Sequence, residues 1–96
     1  MPPPTLKIPP PLRVLIQHLH LHLKHKIRAP LIDILVDPAC GNPLKEELSG
    51  YWSLRVGRLR VIYRPDQKGV EIVALGPRHT IYADAARLVL RRRRQS

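Results

Sequence analysis

Residues 51 to 82, YWSLRVGRLRVIYRPDQKGVEIVALGPRHTIY, alternate arginines with strand-forming apolar residues and close on a Gly-Pro-Arg-His turn. A period of two sends successive side chains to opposite faces, so the stretch predicts a small sheet with a row of guanidinium groups on one face. Such a face suits a phosphate backbone or an acidic protein tail. Tyr51 to Val56 and Arg58 to Arg64 read as two strands broken at Gly57. Trp52, Leu54 and Val56 fall on one side, and Tyr51, Ser53 and Arg55 on the other. Pro65-Asp66-Gln67-Lys68-Gly69 reads as a hairpin turn, Val70 to Leu75 as the next strand, and Thr80 to Tyr82 as a short last one.

The N-terminal half carries a different pattern. Leu12, Leu15, Ile16, Leu19, Leu23, Ile27, Leu31, Ile34 and Leu35 recur at three and four residues, which predicts amphipathic helix. Two helices joined near His20 and Leu21 fit this spacing better than one long one. Pro30 removes a helical donor and clashes with the preceding turn at a cost of about 3 kcal/mol, so a kink or a shortened second helix is expected. Asp37-Pro38, Gly41, Asn42 and Pro43 form a loop. Thr5 to Ile8 is long enough for a short edge strand within a proline-rich lead-in, residues 1–11. Ala83 to Arg94 has helical spacing at Ala86, Leu88, Val89 and Leu90, with Asp84 in its first turn and arginines at its end, as the helix dipole favours. Residues 91–96 form a basic tail. The whole predicts one α+β domain over residues 1–96, with helices against an antiparallel meander.

Charge narrows the partners. Seventeen basic against seven acidic residues give a net charge of +10. Residues 1 to 49 hold six basic and four acidic, residues 50 to 96 eleven and three. The C-terminal half is therefore the docking half, and nucleic acid, ribosome or an acidic protein is the expected partner. A merely solvated basic surface is the plain alternative. Cys40 is the single cysteine, which excludes a disulfide-stapled secreted fold. No apolar run is long enough to span a membrane and the N-terminus lacks a signal-peptide core, so a cytoplasmic protein is expected.

The candidate chemistry lies in Arg55, Arg58, Arg60, Arg64, Arg78, His79 and Tyr82. Arg58, Arg60 and Arg64 alternate onto one strand face, where each guanidinium offers a bidentate fork to phosphate. Metal-independent RNA cleavage needs a group to take the 2′-hydroxyl proton, positive charge against the phosphorane, and a donor for the leaving oxygen. Arginine supplies the second but is a poor base. His79 is a candidate for proton transfer and Tyr82 for stacking or hydrogen bonding; a surface histidine and an edge tyrosine are the plain readings of both. His18, His20, His22 and His25 lack a carboxylate or thiol at ligand spacing, so no metal is expected. No cofactor motif is present.

Asp37-Pro38, Pro43-Leu44-Lys45, Leu48-Ser49-Gly50-Tyr51-Trp52, Leu54-Arg55-Val56-Gly57, Leu59-Arg60-Val61-Ile62-Tyr63 and Gly76-Pro77-Arg78-His79 through Tyr82 together resemble the RelE/ParE superfamily of type II toxin-antitoxin toxins. The resemblance is strong over about residues 35 to 83. It implies two N-terminal helices on a twisted, mainly antiparallel sheet, a C-terminal helix, and a cognate antitoxin that covers the basic surface. By motif, Arg60 and Arg78 match the phosphate-facing arginines of the ribonuclease branch, Tyr82 its tyrosine, and Arg55 a basic strand position near the site.

The chain also departs from that branch. Lysines of the ribosome-dependent members align with Tyr51 and Ser53, neither an amine base. The resemblance thus implies a toxin that cleaves ribosome-bound mRNA, with Arg60 and Arg78 on phosphate, His79 in proton transfer and Tyr82 on the base. The alternative is a ParE-like inhibitor of DNA gyrase with no nuclease activity.

Overall fold

The computed structural model describes residues 5–95. In chain order the elements are β1 (Thr5–Lys7), α1 (Pro10–Gln17), α2 (Leu21–Val36), β2 (Asn42–Pro43), β3 (Trp52–Val56), β4 (Leu59–Asp66), β5 (Gly69–Pro77) and α3 (Arg78–Gln95), with 3-10 turns at Pro38–Cys40 and Glu46–Leu48. The strands form one sheet in the order β1-β5-β4-β3-β2. β1 runs parallel to β5 and every other pairing is antiparallel. This is the α+β architecture expected, with its N-terminal helix pair and C-terminal helix. Part of the proline-rich lead-in, residues 1–4, lies outside the described residues.

Local chemistry accounts for the elements. Prolines open α1 in its first turn, where a missing N–H costs nothing. The chain breaks at His18 to His20, and His20 Nδ1 accepts the His22 backbone N–H at 3.3 Å to start α2. α2 then passes through Pro30 without ending. Ile27 and Ile34, one on each side of Pro30, are buried to 2% and 0% exposure, so packing on the sheet keeps both halves helical against the proline's local penalty. The β4–β5 turn shortens to Gln67-Lys68, and Asp66 Oδ1 accepts the N–H groups of Lys68 and Gly69. A Cβ on Gly69 would lie 2.0 Å from the Thr5 carbonyl oxygen; only glycine lets β1 reach the sheet there.

The sheet is covered on both faces. Ile27, Ile34, Val56, Val61, Tyr63, Val70, Ile72 and Leu75 form one buried cluster, joined by half-buried Leu12, Ile16, Leu19 and Leu31 from the N-terminal helices. Leu48, Tyr51, Ile62, Val73, Ala74, Ile81, Ala85 and Val89 form the other, beneath α3. A bulge opposite Ile62 and Tyr63 leaves Val73 as an extra residue on β5, so Val73 and its neighbour Ala74 both join the α3 side.

Two expectations are corrected. Thr80 to Tyr82 is not a strand, because α3 begins at Arg78 and Ile81, Ala85 and Val89 recur every four residues at 2%, 0% and 3% exposure. The stripe that docks α3 is that one; Leu88 and Leu90 remain exposed. Arg91 to Arg94 lie in the last turns of the helix, as the spacing over Ala83 to Arg94 predicts.

Tyr63 fixes the loop after α2. Its hydroxyl donates to the Pro38 carbonyl at 2.6 Å and accepts the Gly41 N–H at 3.1 Å. A Cβ on Gly41 would lie 2.5 Å from that hydroxyl, so the loop needs glycine at this contact. Burial, the largest cause, pushes the Tyr63 phenol from 10.0 up to about 12.

Candidate functional site

Pairing of the strands gathers arginines at one end of the sheet. Arg55 on β3 stands directly across from Arg60 on β4, and Arg60 is paired on its other side with Gly76 of β5. Leu59 pairs with Pro77, which brings Arg78, the next residue, to the same end. Arg55, Gly57, Arg58, Leu59, Arg60 and Arg78 line a shallow pocket of about 140 Å³. Arg55 Nε donates to the Gly57 carbonyl at 3.1 Å, which holds its guanidinium over the turn. Four cations thus share one rim without an acidic lining residue. Their mutual repulsion is relieved by an anion, and forked donors match phosphate or carboxylate.

The other three candidates lie elsewhere. Arg64 is four residues farther along β4, with Nη2 3.7 Å from Glu71 Oε1 and its guanidinium carbon 5.8 Å from the Tyr51 ring centroid. His79 is exposed in the first turn of α3 and does not line the arginine pocket. Tyr82 is half-buried against the core cluster beneath α3. The histidine-rich stretch serves the helix hairpin: His18 Nδ1 lies 2.8 Å from the Val14 carbonyl and His20 caps α2. Among the described residues no three His, Cys, Asp or Glu side chains converge as metal ligands.

Glu71 is not among the residues that the sequence singles out. Its side chain is 8% exposed and faces Lys7, Arg64 and Arg92 at 3.8, 3.7 and 2.8 Å. The available signal was an acid inside the apolar run Val70 to Leu75, since a buried carboxylate needs cationic partners.

A five-stranded sheet with a helix pair on one face and a single helix on the other is the topology of the RelE/ParE fold. A family profile described as "ParE toxin of type II toxin-antitoxin system, parDE" matches residues 12–82, and the chain belongs to this family. Among solved structures it resembles a chain of the RelBE2 toxin-antitoxin complex of Mycobacterium tuberculosis, with 27% identity, a TM-score of 0.68, and coverage of 80% of this chain and 100% of that one. It shares its fold with a mutant E. coli RelE toxin in the free state, at 14% identity and a TM-score of 0.71, over 95% of this chain and 98% of that one. No curated protein matches it in sequence. No helix among the described residues is long and apolar enough to cross a membrane.

Proposed function

We propose that this chain is the toxin of a type II toxin-antitoxin pair, and that it acts in the manner of the ParE branch, by inhibiting DNA gyrase through its basic sheet face without cleaving RNA. The observation that carries this reading is the make-up of the rim pocket. It gathers four guanidiniums and no proton acceptor, since His79 and Tyr82 lie outside its lining. Arginine holds an anion but does not deprotonate a 2′-hydroxyl at neutral pH. The positions where ribosome-dependent relatives carry lysines hold Tyr51 and Ser53, buried to 7% and 1% exposure. The family match supports the same branch. The likeness to a chain of a toxin-antitoxin complex supports a cognate antitoxin as partner.

A second reading is an endonuclease acting on ribosome-bound mRNA. Arg60 and Arg78 share one pocket, as charge stabilisation of a phosphorane requires, and His79 would have to supply the base from outside it. Induced expression with primer-extension mapping of cellular mRNA, beside a supercoiling assay with purified gyrase, separates the two. Intact mRNA, inhibited supercoiling and undiminished toxicity of His79→Ala are expected. Cuts within translated codons that vanish in folded His79→Ala would replace this reading with the endonuclease.

A further inference from the structure

We infer that the toxin takes hold of its target through a protein segment and not through DNA: an extended acidic stretch of gyrase passes over the tip of the β3–β4 hairpin, its carboxylates on the arginine pocket and its apolar side chains in a groove between that tip and α2. The inference rests on the gyrase reading above and adds to it the chemical class of what is bound and a second subsite.

The groove encloses about 520 Å³ between Leu23, Lys26 and Ile27 of α2 and Val56 and Leu59 of the hairpin, within the about 300–1,000 Å³ usual for ligand pockets. Ile27 and Val56 are buried, while Leu23 stays 37% exposed. Gly57, Arg58 and Leu59 line this groove and the arginine pocket alike. Strand alternation explains the division. Val56 and Leu59 belong to the cluster on the side of the N-terminal helices, so Arg55 and Arg60, each one residue away, take the opposite face. The tip itself is open to a partner: a Cβ built on Gly57, where φ is 62°, would meet nothing within 4 Å.

Two observations select a polypeptide. The first is charge. Among the described residues Arg55, Arg58, Arg60 and Arg78 on one side of the tip, and Lys26 on the other, form no ion pair, whereas Arg64, Arg87 and Arg92 are paired with Glu71 or Asp84. Cations gathered without an acid draw their counter-charge from a partner. The second is the groove. A sugar-phosphate backbone has nothing apolar to fill it, and no aromatic ring lines either pocket for a base to stack on. An acidic peptide meets both demands, because an extended chain sends carboxylates and apolar side chains to opposite sides and burial of the latter against Ile27 and Val56 is itself favourable. Groove and rim share three residues, so the partner that covers the rim also covers the groove.

The test is binding of purified, DNA-free gyrase to the full chain, beside Leu23→Ser and Lys26→Glu variants whose folding is checked by circular dichroism. Wild-type binding without DNA is expected. Leu23→Ser should weaken it about tenfold, and Lys26→Glu should slow association and flatten its salt dependence. A photo-crosslinking residue in place of Leu23 should join a gyrase segment in which Asp or Glu alternates with large apolar residues. Equal binding by both folded variants overturns the inference and leaves the gyrase reading standing, as does binding that requires DNA. Variants that lose the cognate antitoxin but keep gyrase also overturn it and assign the groove to the antitoxin. A wild-type chain that neither binds nor inhibits gyrase removes both. Should Leu23→Ser fail to fold, Lys26→Glu, at an exposed position of α2, decides.

Discussion

Arg92 Nη1 donates to Glu71 Oε1 across 2.8 Å, tying the last turns of α3 to the middle of the sheet. Glu71 is the acid nearly enclosed by this contact, so its charge is the anchor and the exposed arginine the tether. Glu71→Gln leaves Arg64 and Arg92 without their shared counter-charge. Because both guanidiniums keep access to water, the expected loss is about 1–3 kcal/mol rather than the full cost of an orphaned buried ion. Urea unfolding measures it, and hydrogen exchange should show protection lost first in the C-terminal turns of α3.

Toxicity should follow the rim pocket and not the histidine beside it. Arg60→Ala and Arg78→Ala are each expected to abolish growth arrest on induction, whereas His79→Ala keeps it. All three positions are solvent-facing or half-buried, so stability should stay within about 0.5 kcal/mol of the parent. Retained toxicity in both arginine variants, with folding confirmed by circular dichroism, would remove the pocket from the mechanism.

Tyr63 makes stability fall at high pH. Its phenol ionises near 10.0 when unfolded and is pushed up to about 12 when buried. The folded state therefore retains a proton that the unfolded state has lost. The stabilisation is complete below pH 10 and is lost as pH rises toward 12, by about 1.4 kcal/mol per unit. Tyr63→Phe removes this component of the pH profile. It also leaves the Pro38 carbonyl and Gly41 N–H without their hydroxyl partner, at a cost of about 1–3 kcal/mol near neutral pH. Parallel denaturation series of the two proteins from pH 8 to 12 test both effects.

Pro30→Ala should raise stability. It restores a donor inside α2 and removes the ring clash, worth up to about 3 kcal/mol, less about 0.4–1 kcal/mol for the freer unfolded chain. A net gain of about 1–2 kcal/mol is expected by thermal unfolding. A loss would mean that the half-buried proline ring packs better than alanine at that position.

The hairpin of β3 and β4 was legible because its alternation is local: Trp52, Leu54 and Val56 face one core and Tyr51 and Ser53 the other, as period two requires. The break before α2 was legible too, since no single helical face serves the apolar residues on both sides of His20. The start of α3 was not. Thr80 to Tyr82 has strand composition, and only the docking of Ile81 with Ala85 and Val89 makes it helix. Nor was the grouping of the candidate arginines. Arg60 and Arg64 alternate onto one face of the same strand, yet Arg60 meets Arg55, Arg58 and the distant Arg78 at one rim while Arg64 turns to Glu71.

What the sequence by itself determined is therefore the set of elements whose periodicity is carried by neighbours a few residues apart, together with the strong positive charge of the C-terminal half. Tertiary structure decided which charges meet. The bulge at Val73 reverses the side-chain alternation of β5 part-way along the strand, and α3 returns Arg92 to Glu71 across 21 residues of chain. Both depend on strand register and helix docking, and those are set by the burial of two opposing cores rather than by any local preference.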